Sequence, residues 1–297
     1  MELESIPVED LINEYRRQLN IDLSEEFRSH PGTLSRAACP TCHLEHFSPL
    51  IAGSPDFYQS VSKIGDYYAG QRWEFGAAAA LIPASANVVD VGCGDGQFLG
   101  LLTNERKIGL EHNPDAITRA RARGLDVRPQ MLEELEPASA DVITLFQVLE
   151  HLPNPRPIIE TACRVLRPNG RLLIAVPNND SFVGDLLHAP LNAPPHHVLR
   201  WSRRPLEHLP KIAPLVLETI ECEPLPEEQL FDYRRASWIR FVSRMVFTRP
   251  PVCALTSVSK LIRKLATALT FASLKIDQTM PTDTIGHTIL AVYGKST

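Results

Sequence analysis

Three glycines spaced two apart, Gly92, Gly94 and Gly96, follow directly on the apolar run NVVDV and lead into the apolar stretch FLGLL. Glycines at this spacing make a tight turn whose backbone N–H groups can approach a bound molecule closely. One carboxylate, Asp90, stands just before the turn, and a second, Glu111, ends the next apolar run, KIGLE. Imidazoles form the other chemically capable group. Glu150-His151 follows the run DVITLFQVL, and His196-His197 lies in the proline-rich segment NAPPHHVLRWS. An imidazole titrates near neutrality and can take a proton from a hydroxyl, so His151, His196 and His197 are the candidate general bases. Each has a second reading: Glu150-His151 can simply anchor its loop, and adjacent histidines can point in opposite directions, one into packing and one into solvent. Cys39-Pro-Thr-Cys42 supplies half of a four-ligand zinc set, with His30, His43 and His46 near and no second CxxC anywhere. No metal is expected on that count, and the segment reads as a folded lid.

The glycine turn selects among ligands. A dinucleotide fingerprint needs a third glycine at position 97, where this chain has Gln97, and Asp90 would repel a pyrophosphate placed at the turn. A ligand with a cationic group and no phosphate fits a carboxylate-preceded loop better, and S-adenosylmethionine is such a ligand.

Certain elements must position these residues. From Trp73 onward apolar runs alternate with helical stretches: NVVDVG, FLGLL, KIGLE, AITRARARG, DVITLF, IIETACRVL and RLLIAVP. That alternation predicts an α/β fold with a parallel sheet and covering helices. Asn113-Pro114 and Gly124 bracket a helix over 114–123, a capping side chain before a first-turn proline and a left-handed stop after. Strand-like runs recur only around 215–223 and 287–295. Between them, residues 234–275 predict two helices interrupted by Pro250-Pro251. Residues 1–30 carry Ile6, Val8, Leu11, Ile12, Tyr15 and Leu19 at a roughly helical spacing, and 33–68 mix cysteines, prolines and aromatics with no clear period.

The strand with Asp90 and Gly92-Cys93-Gly94-Asp95-Gly96 resembles motif I of class I S-adenosylmethionine-dependent methyltransferases. DVITLFQVLEHLPNP resembles the fourth-strand motif of the subgroup that includes ubiquinone-biosynthesis O-methyltransferases, and LRPNGRLLIAVPN resembles its fifth-strand motif. The resemblance implies a doubly wound, mostly parallel seven-strand Rossmann-like sheet, the last strand antiparallel. The fold would carry an N-terminal helical, Cys-containing extension over 1–68, a catalytic domain over 69–297 and a helical insertion before the final strand. It also implies roles: Asp90, Gly92, Gly94 and Gly96 hold the cofactor, Glu111 accepts hydrogen bonds from both ribose hydroxyls, Phe146 and Gln147 flank it, and Tyr67 or Tyr68 closes over its methionine end. Core packing is the other reading for Phe146 and for the tyrosine. PHH followed by WS resembles a segment on the acceptor side, in a branch linked with glycan and natural-product pathways.

Composition bounds the rest. Of 297 residues, 44% are hydrophobic and 22% charged, which excludes a disordered or fibrous chain. The longest uncharged stretch, Phe75–Val89, is too short and too polar to span a bilayer, and the acidic N-terminus lacks the layout of a secretory signal, so a cytoplasmic home is expected. Net charge is −5, which offers no global attraction for nucleic acid. Yet residues 234–275 hold nine Lys and Arg and no acid, leaving −14 for the remainder. Such basic amphipathic helices suit either a cap on the core, with homodimer contact open to it, or an anionic membrane surface. The expected activity is O-methylation of a small-molecule, glycan or lipid-linked acceptor. The alternatives are a catalytically silent, cofactor-binding partner subunit and a peripheral membrane protein.

Overall fold

The computed structural model describes residues 2–64, 72–186, 188–247, 256–277 and 279–296. Its strands are β1 (Glu2–Pro7), β2 (Thr33–Ala38), β3 (Glu45–Ser48), β4 (Val88–Val91), β5 (Lys107–Leu110), β6 (Val127–Arg128), β7 (Ala140–Phe146), β8 (Leu166–Pro177), β9 (Leu199–Arg200), β10 (Leu215–Pro224) and β11 (Ile285–Lys295). Its α-helices are α1 (Val8–Leu19), α2 (Pro55–Val61), α3 (Trp73–Ala79), α4 (Gln97–Leu101), α5 (Pro114–Ala122), α6 (Arg156–Val165), α7 (Arg203–His208), α8 (Leu230–Val246) and α9 (Ser257–Ile276). The chain divides into two compact units, one of residues 65–176, 203–221 and 288–297, the other of residues 1–64, 177–202 and 222–287.

The first unit is built on a seven-stranded sheet in the order β10-β11-β8-β7-β4-β5-β6. The pairs β4·β5, β5·β6, β4·β7 and β7·β8 are all parallel. From β4 the chain winds outward through β5 to β6, then returns to the other side of β4 to lay down β7 and β8. Right-handed crossovers on opposite sides of β4 put their helices on opposite faces of the sheet, so the fold is doubly wound as expected. The order also places a crevice at the carboxyl ends of β4 and β7, where ligands bind in such sheets. Local chemistry sets the covering helices. Asn113 Oδ1 accepts from the N–H groups of Asp115 (3.0 Å) and Ala116 (3.4 Å) to start α5. In α6, Ile159, Ala162 and Cys163 recur at helical spacing and are buried. The core packs Val88, Phe98, Leu99, Ile117, Val142, Phe146, Leu173 and Leu290.

The second unit differs from expectation. Residues 2–7 form a strand, and only from Val8 does the apolar spacing become a helix. A four-stranded antiparallel sheet runs β1-β2-β3-β9, so residues 177–202 join the N-terminal segment instead of the sheet unit. The division at 68/69 is therefore not where the structure parts: the N-terminal residues share a sheet and a core with later ones. An ionic line crosses all four strands. Arg36 on β2 bonds Glu4 on β1 (3.0 Å) and Glu45 on β3 (2.8 Å), and Arg200 on β9 bonds Glu45 (3.0 Å). Burial opposes ionisation of Glu45, but Arg200 and Arg36 hold its carboxyl below the usual range. In α1 the buried Tyr15 hydroxyl lies 2.6 Å from the Pro190 carbonyl and 2.9 Å from that of Ala193. The insertion is a helical hairpin, α8 against α9, with Ile239, Ile262 and Ala266 at its core; Pro250-Pro251 lie outside the described residues.

Candidate active site

Parallel pairing positions the carboxylates. Asp90, the third residue of β4, stands in register with Thr144 on β7, and the Thr144 hydroxyl donates to it at 2.6 Å. Asp90 is 2% exposed. Burial, reinforced by the nearby Glu111 charge and opposed by the Thr144 hydrogen bond, pushes its carboxyl up to about 7. The chain then turns through Gly92, Gly94 and Gly96, at φ of 69°, 55° and 80°. At Gly92 a Cβ would stand 2.8 Å from Val148 Cγ2, so both the backbone angle and the space require glycine. Gly96 caps the five-residue helix α4, whose Phe98 and Leu99 are buried.

Glu111 lies one residue beyond β5 and ties that strand to the turn. Its Oε2 accepts the Gly94 N–H at 2.9 Å, while Oε1 accepts the N–H groups of His112 and Asn113, each at 2.8 Å. Cys93 packs against Gly109, whose hypothetical Cβ would lie 2.4 Å from Sγ. Burial and the surrounding carboxylates push this thiol up, so it is packing and not a nucleophile.

At the end of β7, Phe146 turns into the core against Phe98 (4.9 Å between centroids, edge-on) and Phe75 (5.7 Å). Gln147 next to it has φ 56° and donates through Nε2 to Glu74 at 3.1 Å. Glu74, on α3, was not among the residues expected from sequence. It is 2% exposed, and burial raises its carboxyl even with Arg72 3.9 Å away. An acid inside the apolar run WEFGAAAA was the available signal. Glu150, equally buried, is pushed up to about 8 by desolvation, with the Glu74 charge adding to the effect and Arg72 opposing it. Asp90, Glu111, Glu74 and Glu150 thus hang from the carboxyl ends of three adjacent strands and from α3; burial holds Asp90, Glu74 and Glu150 toward the protonated form, and a cation brought beside them would favour their ionisation. His151 ends the 3-10 turn Leu149–His151 after them and is partly exposed. Tyr67 and Tyr68 lie outside the described residues.

His196 and His197 belong to the other unit, and there they do not point in opposite directions. Both are buried, at 4% and 7% exposure, with rings stacked 4.5 Å apart at 22°. His196 Nδ1 lies 2.9 Å from the Leu191 carbonyl, which can only accept, so Nδ1 carries the proton. His197 Nδ1 faces Asn192 Oδ1 at 3.3 Å, and the Asn192 amide nitrogen is itself committed as a donor to Asn179 Oδ1 (3.1 Å). In the neutral tautomers so fixed, both Nε2 atoms carry lone pairs. Cys39 and Cys42 sit in the β2–β3 hairpin as free thiols, closed by Cys39 N–H to Leu44 O at 2.9 Å.

The residues fit S-adenosylmethionine on the chemistry of the donor set: a left-handed glycine turn and a carboxylate just beyond β5, with further carboxyl groups near the same strand ends. Sequence comparison with known proteins gives the same direction. Residues 68–213 match the family described as methyltransferase domain. A Mycolicibacterium smegmatis protein named as a probable S-adenosylmethionine-dependent methyltransferase is 37% identical over 105 residues, 33% of this chain and 41% of the relative. A ubiquinone biosynthesis O-methyltransferase of Xylella fastidiosa is 35% identical over 109 residues, 33% of this chain and 44% of its own. The matched region thus spans less than half the length of these relatives. Among solved structures, an S-adenosylmethionine-dependent methyltransferase from Archaeoglobus fulgidus aligns with TM-score 0.48 and 16% identity, covering 81% of this chain and all of that one.

Proposed function

Because residues 68–213 match the family described as methyltransferase domain, we propose that the protein transfers a methyl group from S-adenosylmethionine to an oxygen of a small-molecule, glycan or lipid-linked acceptor. The observation that carries this reading is the joint placement of Asp90, the three left-handed glycines and Glu111 at the carboxyl ends of β4 and β5. When bound, the cofactor supplies a methyl group already activated on a cationic sulfur, so the protein's work is alignment and charge. Glu111 accepts the ribose hydroxyls while its bond to Gly94 holds the turn in shape. Gln147, fixed by Glu74, and the buried acids favour the cationic end.

Relatives named O-methyltransferases support an oxygen acceptor. A hydroxyl acceptor needs its proton removed, and His151, His196 and His197 are the candidates. What supports His196 and His197 is Nδ1 donation to protein oxygens, which leaves Nε2 as the basic atom. The rate then rises with pH across the range where an imidazole loses its proton, and one of the three His→Ala variants loses that limb. Three variants that keep the wild-type profile would leave alignment alone as the source of catalysis. A lipid-linked acceptor adds a requirement of its own, access to a membrane face.

The cofactor assignment is tested by calorimetry. Glu111→Ala removes a charged acceptor worth about 1.5–3 kcal/mol, so affinity for S-adenosylmethionine should fall at least about tenfold in a folded variant. Unchanged affinity would remove the ribose assignment, and saturable binding of NADH would reopen the dinucleotide reading.

A further inference from the structure

Among the described residues no helix is long and apolar enough to cross a membrane. The outer face of α9 is nonetheless unusual. At 3.6 residues per turn, Val258, Leu261, Leu265, Ala268, Ala272 and Ile276 fall in one narrow stripe. All six are exposed, Leu261 by 65% and Ile276 by 88%. The opposite stripe, Ser259, Ile262, Ala266 and Thr270, is buried, and its apolar members pack on Ile239 of α8. So the helix already has a full inner contact, and its second apolar face faces solvent. Phe271, 58% exposed, and Phe241, Met245 and Val246 at the end of α8 extend the exposed apolar surface of the hairpin.

Charge identifies what this face fits. Of the nine cations in 234–275, Arg234, Arg235, Arg240 and Arg263 pair with Asp277, Asp232, Asp185 and Glu14. They hold the fold and are not available to a partner. Lys260, Lys264 and Lys275 are exposed beside the stripe, and among the described residues no carboxylate pairs with them. Lys260 and Lys264, with Arg17, Arg263, Asn13 and Glu14, line a cleft of about 400 Å³ between α9 and α1. Its one acid, Glu14, is already bonded to Arg17 and Arg263. Arg17 and Arg263 are spent on Glu14, so Lys260 and Lys264 are the charges that suit a phosphate here, and an apolar stripe alongside suits acyl chains.

We propose that α9 lies in the surface of an anionic lipid bilayer, with Leu261, Leu265 and Ile276 in the acyl boundary and Lys260, Lys264 and Lys275 at the headgroup phosphates. Both halves of the surface are needed: apolar burial gives attachment, and the lysines give preference for anionic lipid. This attachment stands apart from methyl transfer and is read without methyl donor. The full chain should co-sediment with vesicles of phosphatidylglycerol and phosphatidylcholine at low salt, release as salt rises, and bind vesicles of phosphatidylcholine alone at least tenfold more weakly. Lys260→Gln/Lys264→Gln/Lys275→Gln should lose the anionic preference, with Lys→Arg at the same positions retaining it. Leu261→Ser/Leu265→Ser should lose attachment with the thermal transition intact. No sedimentation of the wild-type chain at low salt overturns the proposal. So does light scattering that shows a dimer in the absence of vesicles which the Leu261/Leu265 variant dissociates, since the stripe would then be covered by a second copy.

Discussion

At the residue scale the buried carboxylates make a measurable demand on the protein. Asp90 and Glu150 sit at about 7 and about 8 in the folded chain, and both ordinary values lie near 4. Between roughly pH 4 and those values the folded state keeps protons that the unfolded chain has lost, so stability falls as pH rises through that window. The sign is opposite to that of an ion-paired carboxylate such as Glu14, which the surrounding Arg17 and Arg263 bring to about 2 despite its burial. Calorimetric midpoints should therefore drop between about pH 5.5 and 8.5. Asp90→Asn, whose side-chain oxygen still accepts from Thr144, should flatten part of that slope and melt higher than wild type at the alkaline end. Midpoints that rise over the same range, with Asp90→Asn following them, would mean Asp90 is ionised throughout. A cationic ligand favours the ionised acids, so its affinity should climb with pH in the same window.

At the element scale, legibility followed the distance over which an element is specified. β4 through α5 could be read because each boundary is local: a β-branched run, glycines at a turn, Asn113 before Pro114, Gly124 after α5. The sheet β1-β2-β3-β9 could not, for a physical reason. Its inward positions alternate apolar with ionic residues, Ile6 with Glu4 and Leu34 with Arg36, so the pattern that marks a half-buried strand is erased by the ion pairs that bury those charges. The same applies to the site. Asp90, the glycines and Glu111 announce themselves by spacing, whereas Glu74 acts through a bond to Gln147, 73 positions away. Stacking of His196 on His197 likewise depends on loop geometry, with Leu191 and Asn192 turning back five residues to meet the rings.

At the scale of the whole molecule, the N-terminal residues behave as part of a core and not as a lid added to one. Ile6, Val8, Leu11, Tyr15, Leu34 and Phe47 are buried in the unit that also holds residues 177–202 and 222–287. β9 has β3 as its sheet partner, Phe47 N–H reaches Val198 O at 3.3 Å, and Gly53 N–H reaches Pro195 O at 2.9 Å. Removing residues 1–64 would strip Arg200, 3% exposed, of Glu45 and leave β9 without its sheet partner β3. Loss of one partner from a buried ion pair alone costs about 3–5 kcal/mol, against a typical total stability of about 5–15 kcal/mol, and the lost strand pairing adds to it. The shortened chain should therefore lose its cooperative calorimetric transition and associate. A lid would behave differently, since its removal spares the body and alters only access to the site. A soluble, cooperatively melting 65–297 fragment that still binds S-adenosylmethionine would restore that reading, and would show that residues 177–202 can hold His196 and His197 without the N-terminal sheet.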